Sequence, residues 1–121
     1  MTARRLAAAL GFLGVALGAF GAHGLKSRLA EGDPEFMVKA LDWWRTASIY
    51  HLVHAVAILA SVGGDADRPP GASGWSFTAG IVVFSGSLYA MSLGAPTWFG
   101  AITPFGGLAF LAGWALLLKK Q

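Results

Sequence analysis

Two histidines three residues apart, His51 and His54, are the residues of this 121-residue chain best suited to chemistry. At helical spacing they share one face, and imidazoles so placed can hold a metal ion, with His23 as a third ligand of a zinc site. The competing reading needs no metal. Each imidazole then bonds a hydroxyl or a backbone carbonyl and fixes helix register, and this reading is preferred because no acidic residue accompanies the histidines. Hydroxyls recur at helical spacing in Thr78, Ser85, Tyr89 and Ser92, forming a stripe that can meet the histidines; Tyr50 and Thr103 add to it. Hydrogen bonds between helices account for the stripe, and a pocket for a small solute is the alternative. No metal or other cofactor is expected. The absence of cysteine removes disulfides, thiolate metal sites and thiol nucleophiles together.

The elements that must position these groups can be read from composition. The chain is 55% hydrophobic and only 12% charged, with 17 glycines, which is too apolar for a soluble domain of this length. A bilayer core demands about 20 mostly apolar residues per helical span. Charge-free stretches of that length run from Leu6 to Leu25 and from Thr46 to Gly64. The uncharged tract from Pro69 to Leu118 is long enough for two more. Gly94 to Thr97 breaks it, placing spans near Trp75 to Leu93 and Trp98 to Leu118. The expected architecture is an all-α, integral membrane four-helix bundle in a single domain covering 1–121. No Asp, Glu, Lys or Arg lies within a span, which argues against a proton pump, a voltage sensor or carboxylate-driven hydrolysis.

In an up-down bundle the polar groups His23, Tyr50, His51, His54, Ser85, Tyr89, Ser92 and Thr103 fall toward one half of the membrane. The first span carries Ala7, Gly11, Gly14, Gly18 and Gly21 within an arc of about 80°. Such a small-residue face lets helix backbones approach closely, and it favours a retained helix over a cleaved signal peptide. Gly106, Ala109 and Gly113 form a second face of this kind. Gly106-Gly107 lacks the following Lys and Ser or Thr of a phosphate loop.

Between the first two spans lies the one charge-rich segment, Lys26 to Arg45, with four basic and four acidic residues. Asp33-Pro34 reads as a helix start, and 34–45 as an amphipathic helix at the interface. Trp43, Trp44, Trp75 and Trp98 are expected as interfacial anchors. Thr103-Pro104 reads as the capped start of the last helix. Counting basic residues, Arg4, Arg5, Arg68, Lys119 and Lys120 lie on one side, and Lys26, Arg28, Lys39 and Arg45 on the other. Five against four favours both termini in the cytoplasm. Because these charges bound the spans and form no basic stripe, nucleic acid is not an expected partner.

Four blocks carry a family resemblance: GAFGAHGL from Gly18 to Leu25, YHLVHAVAIL from Tyr50 to Leu59, FSGSLY from Phe84 to Tyr89, and ITPFGG with a later GW, Ile102 to Gly107 and Gly113 to Trp114. In this order, across nearly the whole chain, they resemble the YgdD-type family of small inner-membrane proteins. This is domain-of-unknown-function family four-two-three, with eukaryotic relatives called transmembrane protein two-five-six. The resemblance implies four membrane helices and an inner-membrane, multi-pass location, and it supplies no activity and no catalytic residues. The function expected is that of a non-enzymatic interaction or accessory protein in the bilayer, a homo-oligomer or a subunit of a larger membrane complex. An oligomeric carrier or channel for a neutral solute is second, and a metal-dependent membrane enzyme third.

Overall fold

The computed structural model describes residues 1–119, and Lys120, used in the charge count, lies outside them. The described residues fold as four helical rods without strands. They are α1, Ala3–Leu29; α2, Pro34–Ala60; α3, residues 71–92; and α4, Thr103–Leu117, which comes after a 3₁₀ turn at Thr97–Ala101. By length and composition, α1 and the segment Thr97–Leu117 are each apolar enough to cross a membrane. The closest backbone packing joins α1 to α2, α2 to α3, and α3 to α4.

Local chemistry sets the ends of these rods. The first amides of α1 would be orphaned, but Ala3 N and Arg4 N donate to the carbonyls of Arg68 and Ala66, both at 2.9 Å. The α2–α3 connection thereby caps α1, and an exposed Arg4–Asp67 ion pair at 3.1 Å adds little. Asp33 caps α2 by accepting from Glu35 N at 3.1 Å, ahead of Pro34 in the first turn. α3 ends where Gly94 takes φ 105°, with Ala95 N bonded to Ala90 O and Gly94 N to Met91 O. Those two bonds close the orphan carbonyls of the last turn.

Four sequence expectations change here. Residues 34–45 are not a separate interfacial helix. No glycine or proline interrupts the chain from Glu35 to Val62, so α2 runs unbroken for 27 residues, about 40 Å. It stops at Ala60, ahead of a turn in which Gly63 has φ 63°, rather than at Gly64. α3 begins four residues before Trp75, at Gly71, directly after Pro70. Thr103 does not cap α4: the preceding Ile102 is already helical, so the Thr103 hydroxyl turns to Ser87 Oγ at 2.6 Å.

Two π turns interrupt the rods, Gly21–Leu25 in α1 and Ile81–Ser85 in α3. Each acts as a one-residue insertion that rotates the C-terminal part of its rod relative to the N-terminal part. The core of the bundle is apolar and centred on Ala3, Leu6, Ala7, Ala55, Ile58, Phe77, Ile81 and Phe110.

Candidate functional site

The buried polar groups lie between rods, and their hydrogen bonds run nearly the length of the bundle. Toward one end, Ser92 Oγ donates to Ala40 O at 2.9 Å and Ser85 Oγ to Ala47 O at 2.8 Å, tying α3 to α2. Toward the other, Ser73 Oγ donates to Gly113 O at 2.8 Å and Ser76 Oγ to Ala109 O at 2.6 Å, tying α3 to α4. Polarity is therefore not confined to one half of the bundle, a correction to the sequence reading. Because α3 starts at Gly71, Ser73 and Ser76 join the buried helical surface.

His51 is 1% exposed and bridges three rods. Its Nε2–H donates to Leu10 O of α1 at 2.8 Å, and its Nδ1 accepts from the Tyr89 hydroxyl of α3 at 3.0 Å. His54 takes the opposite tautomer. Its Nδ1–H donates to Tyr50 O at 2.7 Å, and its Nε2 accepts from Trp114 Nε1–H of α4 at 3.1 Å. Indole nitrogen only donates, so His54 must be neutral there. Among the described residues no hydrogen bond or ion pair joins His51 to a carboxylate, and a lone cation in apolar surroundings would be costly, so it too is neutral. The His54 ring lies flat on Phe110 at 3.6 Å between centroids, with Phe77 and Trp114 against it. Both nitrogens of both rings are thus engaged within the chain.

The remaining expected site residues divide. Tyr50 sets its ring at a tilt of 44° against Phe84 and remains 44% exposed on the outer surface. His23 is exposed within the π turn of α1 and does not join His51 and His54. Among the described residues no three His, Cys, Asp or Glu side chains converge as a metal centre would require. Thr78 bonds its own helix at Gly74 O. Ser48 sits beside Tyr89, but its buried hydroxyl oxygen has no partner in hydrogen-bond geometry.

Trp44 is a second correction. It is 4% exposed, not an interfacial anchor, because one residue of helix turns it about 100° from Trp43 and into the α1–α2–α3 junction. Its indole N–H donates to Leu17 O at 2.7 Å, and its ring meets Tyr89 at 4.6 Å. Trp43 stays half-buried against Phe36, and Trp75 and Trp98 are exposed.

The small-residue faces also divide. A Cβ on Gly14 would meet Leu52 Cδ2 at 2.6 Å, and one on Gly21 would overlap the Trp44 ring, whereas Gly11 and Gly18 have nothing within 4 Å. On α4, Gly106 lies against the Phe84 backbone and Gly113 against the Phe77 ring. Trp114 is the functional residue least visible in the sequence, and its spacing of eight residues from Gly106 is the available signal.

Comparison with known proteins places this geometry among membrane proteins. The family model described as "Protein of unknown function (DUF423)" matches residues 17–107. The UPF0382 membrane protein YwdK of Bacillus subtilis is 41% identical over 111 residues, covering 88% of this chain and 84% of its own. A UPF0382 membrane protein of Staphylococcus haemolyticus is 38% identical, over 88% and 83%. The UPF0382 inner membrane protein YgdD of Escherichia coli is 39% identical, over 93% and 82%. No solved structure matches.

Proposed function

The chain belongs to the DUF423 family, and from that premise we propose that it is a multi-pass inner-membrane protein acting by association, as a homo-oligomer or an accessory subunit, with no catalytic activity of its own. One observation carries this reading. Ser73, Ser76, Ser85 and Ser92 at the rod interfaces and both buried histidines spend their hydrogen bonds on carbonyls and side chains of the same chain, so these groups offer no polar row for a solute to pass along. A carrier or channel would need such groups turned toward a path. The outer surface is apolar instead, with Phe12, Val82 and Leu108 all more than half exposed. Lipid and other membrane helices are the surroundings such a surface suits.

The test is crosslinking in native membranes from photoreactive residues placed singly at Phe12, Val82 and Leu108, with buried Ala47 as the control. A discrete adduct is expected from at least one outer position and none from Ala47. Adducts of no defined mass from every position would overturn the association reading.

Both termini lie in the cytoplasm in this reading, on the five-to-four basic count. The bonds from Ala3 and Arg4 to the 66–68 segment support placing the amino terminus and the α2–α3 connection on one side. Reporter fusions after Gln121 and within 66–73 should both report cytoplasm, and a periplasmic signal from either would reverse the orientation.

A further inference from the structure

Between α1 and α2, at the end near their connection, lies a cleft of about 390 Å³. That volume is in the range of small-ligand sites, roughly 300–1,000 Å³. Its walls include Gly18, Ala22, Trp44, Ser48 and Ile49, and the cations Lys26 and Arg45 also line it. Lys26 ends the charge-free stretch of α1 at headgroup level with Gly18 about 12 Å deeper, and Arg45, next to the Trp44 that packs on Gly21, stands between them in depth with a side chain long enough to extend toward Lys26. Neither cation pairs with a carboxylate among the described residues, and no carboxylate lines the cleft.

The π turn at Gly21–Leu25 aligns charge with cleft. In an unbroken α-helix, residues eight apart diverge by about 80°. With one residue absorbed in the bulge, Gly18 and Lys26 behave as if seven apart and differ by about 20°. The absence of a side chain at Gly18 leaves the deep end open, with nothing within 4 Å of where a Cβ would stand.

We propose that this cleft binds one anionic phospholipid, its phosphate between Lys26 and Arg45 and one acyl chain descending past Ala22 to Gly18. Charge complementarity at headgroup depth over an apolar slot fits a lipid better than a soluble anion, which would leave the slot empty. The site goes beyond the association reading and does not depend on it.

The test is native mass spectrometry of the full chain in a neutral detergent, titrated with dioleoylphosphatidylglycerol, dioleoylphosphatidylcholine or glycerol 3-phosphate. One phosphatidylglycerol per chain is expected to be retained, about tenfold tighter than phosphatidylcholine. The Lys26→Gln, Arg45→Gln pair should lower it to the phosphatidylcholine level. Arg28→Gln with Lys39→Gln, the same change in charge outside the cleft, should leave it unchanged. Gly18→Leu starts from a Cβ that stands clear of every neighbour, extends into the slot, and should abolish retention of both lipids with little change in melting temperature. Equal retention of the two lipids, equal loss from both charge pairs, or displacement by millimolar glycerol 3-phosphate would overturn the proposal.

Discussion

Gly106→Ala is expected to destabilise the protein by about 3 kcal/mol, the largest effect of any single added methyl group in the chain. A Cβ at that position would land on the backbone nitrogen and Cα of Phe84, which cannot turn aside as a side chain can. Either α4 moves away from α3, or the backbone of α3 deforms. Moving α4 also strains the bonds from Ser73 and Ser76 to its carbonyls at Gly113 and Ala109. Gly14→Ala meets side chains only, Leu52 Cδ2 at 2.6 Å and the His51 ring at 3.3 Å, and should cost less, about 1 kcal/mol. Gly11→Leu and Gly18→Leu enter open space and should stay within about 0.5 kcal/mol of the native protein. Unfolding in mixed detergent, monitored by tryptophan fluorescence, ranks all four; equal tolerance at Gly106 and Gly18 would refute the close approach of α3 and α4.

This ranking also shows what the sequence could and could not disclose about packing. Gly11, Gly14, Gly18 and Gly21 of α1 lie within an arc of about 80°, but the line of contact with one neighbouring helix is narrower. Gly14 and Gly21, seven apart, keep that line, while Gly18 is displaced from Gly14 by about 40° and opens onto the cleft. Only knowing where α2 sits separates the two pairs. Asp33-Pro34 and Gly94 were readable because caps and positive φ demand particular residue types. The π turns were not, since an inserted residue leaves hydropathy unchanged and shows only in the rotation of the helix beyond it.

His51→Leu is expected to cost about 2 kcal/mol, because it deletes both bonds of the ring, leaving the Leu10 carbonyl without its donor and the half-buried Tyr89 hydroxyl without the ring as acceptor. Bonds of this kind in a membrane interior average about 0.6 kcal/mol, so the stranded carbonyl and hydroxyl supply much of the loss. His51→Gln retains a donor and an acceptor and should lose roughly half as much. His54→Gln should be costlier than His51→Gln, since it also gives up the flat stack on Phe110 at 3.6 Å.

The partnership of His51 with Tyr89 was accessible from spacing, because both belong to helical stripes that an up-down bundle turns toward each other. The partnership of His54 with Trp114 was not. It depends on how far α4 slides along α3, which in turn packs on α2, and that offset is set by the contacts of Gly106 with Phe84 and Gly113 with Phe77. Trp44 escapes the sequence reading for a related reason: tryptophan suits both the interface and a packed junction, and only the gap left by Gly21 makes room for it inside.

His51 and His54 are fasteners between helices, with all four ring nitrogens used within the chain. Thermal melting of tag-free native protein, His51→Gln and His54→Gln, each with and without a strong chelator, tests this role most directly. The account predicts that chelator leaves all three melting temperatures unchanged and that both variants remain folded, each melting below the native protein. A native protein that melts markedly earlier in chelator, with that sensitivity lost in both variants, would contradict it and establish a metal held by these rings.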